Sequence, residues 1–293
     1  MELTSFTKKQ TLWVFGIVYG FAAVIGALIM LYFYNSGMNL IISTLIANIS
    51  MTIIVFFFSN VTKNASLYDP YWSVIPIIIV LEWMLIYKNF SINVILLFLA
   101  VLIWGVRLTL NWWKNWQGFI EQDWRYTHLR DQAPKLYLLT NFFGIHMIPT
   151  LVVYIQLINA HDIMAYQGIS PIFIIGFVLS VSAAIIQFFA DKQMYEFRMD
   201  HKKEKACIDH GLWKYTRHPN YLGELTFWVG IYIMYFSHVN AINFNLVYPL
   251  LMIALFLFIS IPLMEKKLVH RPGYQEYKAQ VSMLLPFRKK RSR

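Results

Sequence analysis

The chain has 293 residues, of which 58% are hydrophobic and only 14% are charged, and its formal net charge is +10. Soluble domains carry about 25% charged residues, so this composition excludes an ordinary soluble protein and indicates an integral membrane protein. The single cysteine excludes an internal disulfide and any site built from several cysteines.

Long apolar segments recur along the chain, and eight of them have the length of a membrane span. We expect each to be helical, because lipid leaves only helices and closed barrels with satisfied backbones, and these segments lack the alternation of barrel strands. The predicted fold is an all-α integral membrane protein, a bundle of 7–8 transmembrane helices in a single transmembrane domain, 1–293. The predicted spans are 11–34, 40–62, 72–87, 92–110, 137–158, 169–190, 221–238 and 245–263.

Lysine and arginine are distributed unequally between the two sides of this model. With eight spans both termini lie on one side, and every lysine and arginine except Lys88 falls on that side. The positive-inside rule makes that side cytoplasmic. The same rule explains the basic tail, 288–293, as an orientation signal that touches anionic lipid, so no nucleic-acid partner is predicted.

The first polar segment, SLYDPYWS at 66–73, precedes the third span. Pro70 disfavours a helical conformation at Asp69, so a turn is predicted there. Tyr71 follows directly, in a group of aromatic residues of the kind found at membrane interfaces. Glu82 is an acid inside the third span, where it requires either a cavity or a partner such as Lys88.

The second polar segment begins at the end of the fourth span. Arg107, Asn111 and Lys114 recur at i, i+4 and i+7, which places them on one helical face. The face suits a bound anion, and it equally suits long side chains that reach from the end of a span to water.

The third polar segment joins the sixth and seventh spans. Asp191 and Arg198 lie seven residues apart, on one helical face. Arg198 and Arg217 carry the bidentate fork that binds phosphate well. Lys202, Lys203 and Lys205 fit both a phosphate-rich ligand and the positive-inside rule.

A compact polar cluster, GLWKYTRHPNYLGE at 211–224, opens the seventh span. His218-Pro219-Asn220 predicts a turn. Glu224 falls one helical turn further, where an ionisable side chain requires a partner. Glu265, His270, Tyr274 and Tyr277 follow the eighth span. All these segments share one membrane face in the eight-span model, so distant parts of the chain are expected to form one cytoplasmic site.

Two stretches carry a resemblance to a known family. ADKQMYEFR at 190–198 and GLWKYTRHPNYLGELTFW at 211–228 resemble the C-terminal half of the membrane steroid 5-alpha-reductases, and more narrowly the bacterial branch called domain of unknown function 1295. SLYDPYW, WGVRL, the Asp-x-Arg-Tyr at 123–126 and RPGYQEY are also similar to that branch. The resemblance covers roughly 60–287 and implies a cofactor-binding part at 190–287.

The resemblance implies an NADPH-dependent reductase of carbon–carbon double bonds conjugated to a carbonyl, with a hydrophobic substrate that enters from the bilayer. It implies that Asp191 and Arg198 contact the cofactor, and that Asn220, Glu224 and Trp228 line its nicotinamide side. The family's C-terminal His and Tyr do not match cleanly in this chain. The residues expected at the cofactor are Asp191, Arg198, Gly211, Leu212, Tyr215, Arg217, His218, Asn220, Tyr221, Glu224, Trp228, Arg107, Asn111, His270, Tyr274 and Tyr277.

Such a reduction also needs a protein acid, because hydride transfer to the β carbon builds negative charge on the carbonyl oxygen. We expect Tyr71 in this role, with Asp69 or Glu82 as an assistant. No metal is expected, since His210 and His218 have no partner at ligand spacing and no HExxH motif occurs.

The sequence is compatible with two other functions. The Arg-His-Pro-x-Tyr-x-Gly stretch at 217–223 also resembles S-adenosylmethionine-dependent membrane methyltransferases of the isoprenylcysteine or phospholipid type. Asn220, Glu224 and the Asp191 and Arg198 pair favour the reductase. A non-enzymatic lipid-binding membrane protein is the second alternative, and it predicts no affinity for nucleotides.

Overall fold

The computed structural model describes residues 6–200 and 206–286, and the regular structure in these ranges is helical apart from one isolated bridge between Thr216 and Ser282. The predicted all-α fold is confirmed. Lys202, Lys203, Lys205 and the basic tail, 288–293, lie outside the described residues. The helices are α1 (Lys8–Asn35), α2 (Leu40–Val61), α3 (Tyr71–Tyr87), α4 (Ile92–Asn115), α5 (Trp124–Gln132), α6 (Pro134–Ile163), α7 (Pro171–Asp200), α8 (Pro219–Val239), α9 (Phe244–Leu268) and α10 (Tyr274–Gln280).

Within the described ranges, seven helices are long and apolar enough to cross a membrane: α1 to α4, α6, α7 and α9. The chain is therefore a multi-pass membrane protein. The predicted span 221–238 forms a helix, α8, but α8 is not among the seven, because tyrosines, tryptophan and Glu224 lower its hydropathy. The described residues thus contain seven candidate membrane spans, the lower end of the predicted range of 7–8. The cytoplasmic location of the termini stays a prediction.

Several helices extend beyond the predicted spans. α4 continues to Asn115, so Arg107, Asn111 and Lys114 lie on one helix, as expected. α7 continues to Asp200, so Asp191 and Arg198 also share a helix. In α6 the turns at Thr140–Met147 are π-helical, and in α9 those at Phe256–Ser260 are π-helical. Such wide turns occur frequently at functional sites.

The turn before α3 corrects one expectation. Ala65–Tyr68 forms a 3-10 turn, but the backbone of Asp69 (φ −53°, ψ −44°) lies in the helical region that Pro70 was expected to disfavour. The amide of Asp69 donates to the Ser66 carbonyl at 3.1 Å, which extends the turn by one residue. This local hydrogen bond outweighs the steric preference of a residue before proline.

The helices form two compact units. Unit 1 comprises Met1–Asn89 and Leu108–His161, and unit 2 comprises Phe90–Arg107 and Asp162–Arg293. In unit 1, Gly26 of α1 lies against the side chain of Met51 in α2. In unit 2, α7 and α8 approach so closely that a Cβ atom added at Gly176 would lie 2.7 Å from the carbonyl oxygen of Gly230. Small residues permit such close helix contacts in membranes.

Candidate functional site

A buried polar network joins α4, α7 and α8 in unit 2. Arg107 is 8% exposed, and its guanidinium donates to Asp191 Oδ2 at 2.6 Å and to Gln187 Oε1 at 2.7 Å. The other oxygen of Asp191 accepts from Asn220 Nδ2 at 3.4 Å. Arg107 Nε is buried without a hydrogen-bond partner in the described chain. A buried charge of this kind is retained only where it is paired, so Arg107 and Asp191 stabilise one another.

The network has two centres, the Arg107–Asp191 ion pair and the carboxyl group of Glu224, which is 3% exposed. Its Oε2 accepts from Trp104 Nε1 at 2.9 Å and from Gln187 Nε2 at 2.8 Å, and its Oε1 accepts from Trp228 Nε1 at 2.8 Å. All three donors are neutral. Gln187 links the two centres, because its carbonyl accepts from Arg107 while its amide donates to Glu224.

The structure thus brings together five residues that were expected at the cofactor: Arg107, Asp191, Asn220, Glu224 and Trp228. The sequence reasoning missed Gln187 and Trp104. A signal was available for Gln187, since it lies one helical turn before Asp191 inside an apolar span, where an amide requires a partner.

A second cluster in unit 2 surrounds Glu265 of α9. Its carboxylate accepts from Arg217 at 2.7 Å and from Lys278 at 2.8 Å, and His218 lies 3.4 Å away. The guanidinium of Arg217 also donates to the carbonyls of Lys278 and Val281. Arg217 and His218 therefore fix the start of α8 to the C-terminal segment. The ring of His218 stacks on Tyr221, with 5.2 Å between ring centroids.

The segment Gly211–Lys214 is a 3-10 turn held against α7. Gly211 has a φ of +60°, a conformation that favours glycine, and a Cβ atom there would collide with the side chain of Gln193. The amide of Leu212 donates to Gln193 Oε1 at 2.9 Å. Tyr215 is 56% exposed beside this turn, and Arg198 is exposed near the end of α7.

The C-terminal aromatic residues differ in exposure. Tyr274 and Tyr277 are buried, whereas His270 is exposed. The hydroxyl of Tyr277 donates to the Trp213 carbonyl at 2.6 Å. Burial raises the pKa of Tyr274 and of Tyr277, so both phenols remain protonated at neutral pH.

In unit 1, a chain of buried hydroxyl groups surrounds Tyr71. The Tyr71 hydroxyl donates to Asn48 Oδ1 at 2.9 Å and lies 3.3 Å from Thr52 Oγ1. Thr52 and Thr150 are 3.0 Å apart, and Thr150 is 2.8 Å from the Tyr68 hydroxyl. All five side chains are at most 3% exposed. Apart from Tyr71, the sequence reasoning missed this group, although Asn48 and Thr52 are polar residues one turn apart in an apolar span.

A pocket of about 200 Å³, its open mouth included, adjoins Tyr71 within unit 1. Asn48, Tyr71 and Thr150 form the polar end of this pocket, and its walls are mostly apolar. The lining residues are Asn48, Tyr71, Trp72, Ile75, Pro76, Ile79, Thr150, Val153, Tyr154 and Leu157.

The two expected assistants of Tyr71 do not contact its hydroxyl. The carboxylate of Asp69 instead accepts from the Tyr126 hydroxyl at 2.5 Å. Glu82 forms no hydrogen bond or ion pair with the described chain, and Lys88 is exposed without bridging to it. The remaining expected residue of unit 1, Asn111, accepts from Asn115 Nδ2 at 3.2 Å.

A buried histidine was also overlooked. His146 lies in the π-helical turns of α6 and is fully buried, with its ring 4.7 Å from that of Tyr68. Its Nδ1 lies 3.0 Å from the Asn141 carbonyl, and its Nε2 has no hydrogen-bond partner in the described chain. Among the described residues, no three His, Cys, Asp or Glu side chains form a group that could hold a metal ion.

Comparison with known proteins places the chain in a family. No solved structure matches it at a significant level. The "Uncharacterized protein C594.04c" of Schizosaccharomyces pombe (strain 972 / ATCC 24843) is 26% identical over 234 residues, which are 69% of this chain and 66%, just under two thirds, of that protein. The family model described as "Protein of unknown function (DUF1295)" matches residues 55–281. Because that match covers most of the chain, the chain belongs to the DUF1295 family.

Proposed function

We propose that this protein reduces a carbon–carbon double bond conjugated to a carbonyl in a hydrophobic, steroid-like or lipid molecule, and that NADPH is the reductant. The buried network of Arg107, Asp191, Asn220 and Glu224 carries the proposal. Asp191, Asn220 and Glu224 are positions at which the resemblance to membrane steroid 5-alpha-reductases implies cofactor contacts, and Arg107 was expected there from its place on a polar helical face. Polar and ionisable side chains that meet inside apolar helices are typical of a functional site.

The residues of unit 2 fit the chemical groups of NADPH. Asn220 is only partly buried at the start of α8, and its amide suits the nicotinamide carboxamide or a ribose hydroxyl. Arg107 Nε is an additional buried donor without a partner in the described chain. The exposed Arg198 and Lys214 supply positive charge for phosphate groups. Arg217 acts indirectly, because its guanidinium is held by Glu265.

Unit 1 by itself contains an apolar pocket and, beside it, a side chain that can donate a proton. NADPH, when bound, supplies a hydride, and a protein acid supplies the proton that completes the reduction. The Tyr71 hydroxyl lines the pocket and carries a proton that is donated to Asn48 Oδ1. The Asp69 carboxylate accepts from the Tyr126 hydroxyl and does not contact the hydroxyl of Tyr71. We assign the cofactor residues to the cytoplasmic side on the distribution of lysine and arginine.

Identification of the bound nucleotide tests the proposal. The full chain is purified in mild detergent and denatured, and released small molecules are identified by mass spectrometry. Titrations with NADPH, NADH and S-adenosylmethionine follow, with tryptophan fluorescence as the readout, because Trp104 and Trp228 belong to the network. We expect saturable binding of NADPH. Binding of S-adenosylmethionine instead identifies a methyltransferase, and affinity for none of the three excludes both enzymes and leaves a lipid-binding protein.

A matched pair of variants tests the location of the cofactor. Asn220→Ala removes a partly buried amide of the network, whereas Asn115→Ala removes an exposed amide of α4. Loss of one or two hydrogen bonds corresponds to about a tenfold change in Kd. We expect Asn220→Ala to bind NADPH about tenfold more weakly and Asn115→Ala to bind it as tightly as the native protein. Equal affinities in both variants would remove Asn220 from the cofactor site.

A further inference from the structure

The 3-10 turn Gly211–Lys214 is attached to α7 at two points. The amide of Leu212 donates to the side-chain oxygen of Gln193 at 2.9 Å. The indole N–H of Trp213 donates to the Ala190 carbonyl at 3.1 Å. Ala190 and Gln193 are three positions apart in α7, so the two attachments lie on one face of that helix. Together they fix the turn against α7.

The two attachments hold different parts of the turn. Trp213 is 6% exposed and packs in an apolar cluster with Phe197 and Ile208. From the other side, the Tyr277 hydroxyl donates to the Trp213 carbonyl at 2.6 Å. Gln193 is only partly buried, and its side chain holds the backbone of the turn directly. Loss of the Gln193 contact should therefore loosen the turn without detaching it.

Gly211 leaves the space that the side-chain amide of Gln193 occupies. A Cβ atom at Gly211 would lie 2.5 Å from Oε1 of Gln193 and 2.6 Å from its Nε2. Gly211 also has a φ of +60°, which favours glycine. A side chain at this position would displace the Gln193 amide from the Leu212 N–H. Gly211 and Gln193 thus form a single contact between the turn and α7.

Gln193 connects this turn with the buried polar network. Asp191 lies two positions before Gln193 in α7 and accepts from Arg107 at 2.6 Å and from Asn220 at 3.4 Å. One rigid stretch of helix therefore carries both the acidic member of the network and the side chain that holds the turn. The distance between the turn and Asp191 depends on the Gln193 contact.

We infer that Gln193 is a positioning residue for the nucleotide, because it holds the turn Gly211–Lys214 at the distance from Asp191 that bound NADPH requires. The inference rests on the proposed function, in which the exposed Lys214 of this turn supplies positive charge for phosphate groups. Gln193 contacts no cofactor atom in this role. It acts through the backbone amide of Leu212.

Gln193→Met tests the inference, because methionine keeps the length of the side chain and removes the acceptor. The packing of Trp213 is unchanged, so the variant should fold with an unfolding midpoint close to that of the native protein. Loss of one hydrogen bond predicts an about tenfold increase in the Kd for NADPH. The control Gln132→Met makes the same change at an exposed glutamine of α5 and should bind NADPH as the native protein does.

A double-mutant cycle separates positioning from general destabilisation. Gly211→Ala displaces the same amide, so Gln193→Met should cause no further loss of NADPH affinity when it is introduced into Gly211→Ala. The strain of alanine at a positive φ is present in both members of that comparison and cancels. An about tenfold loss in both backgrounds would show that Gln193 acts elsewhere and would overturn the inference.

Hydrogen–deuterium exchange of the peptide that contains Leu212, without nucleotide, reports the turn itself. We expect faster exchange in Gln193→Met than in the native protein or in Gln132→Met. Faster exchange with an unchanged Kd would make the role of Gln193 purely structural and would overturn the inference. Unchanged exchange would overturn it as well.

A second pair of variants decides the question if Gln193→Met does not fold. Gly168→Ala is the matched control for Gly211→Ala, because Gly168 also has a positive φ, +88°, but no atom lies within 4 Å of its Cβ position. Only Gly211→Ala should weaken NADPH binding, and equal affinities would contradict the inference. If the native protein binds no NADPH, the proposed function fails and this inference fails with it. Native binding that neither Gln193→Met nor Gly211→Ala weakens overturns the inference alone.

Discussion

The indole N–H of Trp104 donates to the Glu224 carboxylate at 2.9 Å, although the two residues are separated by 120 positions in the chain. Together with Gln187 and Trp228, Trp104 surrounds this buried carboxyl group with hydrogen-bond donors. The carboxylate therefore organises three side chains from three helices of unit 2.

Substitution of Glu224 is expected to destabilise the protein. Glu224→Gln keeps the shape but replaces one acceptor oxygen with an NH₂ group that faces an N–H donor. We expect a loss of about 1–3 kcal/mol, the usual effect of an unsatisfied buried polar group. The measurement is thermal unfolding in detergent, with Glu276→Gln, an exposed glutamate, as the control. Equal unfolding midpoints for the two variants would contradict the importance of the network.

The ion cluster around Glu265 predicts that one substitution lowers stability strongly and another hardly at all. Glu265→Gln leaves the guanidinium of Arg217 buried without its anion, which typically destabilises by about 3–5 kcal/mol. Lys278→Met removes a partner that is 44% exposed, so the expected change is within about 1 kcal/mol. Limited proteolysis of the C-terminal segment, followed by mass spectrometry, reports the difference. Similar cleavage rates for the two variants would show that Arg217 does not depend on Glu265.

The close approach of α7 and α8 predicts a position at which alanine is not tolerated. A Cβ atom at Gly176 would lie 2.7 Å from the backbone of Gly230 and Met234, and backbone atoms cannot move aside cheaply. Gly176→Ala should therefore lower the yield of folded protein and its unfolding temperature. Gly20→Ala in α1 is the matched control, because no atom lies within 4 Å of its Cβ position. That control should be neutral or stabilising by up to about 1 kcal/mol.

The reactivity of the single cysteine, Cys207, can be measured directly as a function of pH. Partial burial raises the pKa of Cys207, while the nearby Arg271 opposes this shift. The thiol should therefore react with iodoacetamide more slowly at neutral pH than the same thiol in unfolded protein, and Arg271→Ala should slow it further.

The sign of the linkage for Cys207 follows from the same shift. A pKa raised on folding means that the native state holds the thiol proton more tightly. Its contribution to stability is present below the pKa of the unfolded thiol and is lost as the pH rises through the higher folded value. Identical pH profiles of alkylation in native and denatured protein would contradict the burial of Cys207.

Much of the fold was predictable from local sequence. Seven of the eight predicted spans correspond to helices that are long and apolar enough to cross a membrane. The spacing of Asp191 and Arg198 on one helix was also correct. The helical state of Asp69 was not predicted, because the hydrogen bond to Ser66 that stabilises it lies in a turn whose form depends on the surrounding packing.

The candidate site was predictable only in part. Motif residues such as Asn220 and Glu224 attract attention by themselves, because ionisable and amide groups inside an apolar segment require partners. The identity of those partners was not readable. Gln187 meets Arg107 across 80 positions, and Thr150 meets Thr52 across 98. Sequence patterns also gave no indication that the amide nitrogen of Asn48 would lack a partner within the described chain.

The sequence by itself determined that this is a helical membrane protein, because lipid forces every spanning segment to satisfy its backbone internally, and a long apolar run is therefore a local signal. Only the tertiary structure decided which polar side chains meet. That outcome depends on how helices pack against one another, and small residues such as Gly176 control the approach through contacts with helices distant in sequence. The same packing pairs Arg217 with Glu265. It also leaves the amide nitrogen of Asn48 without a hydrogen-bond acceptor in the described chain.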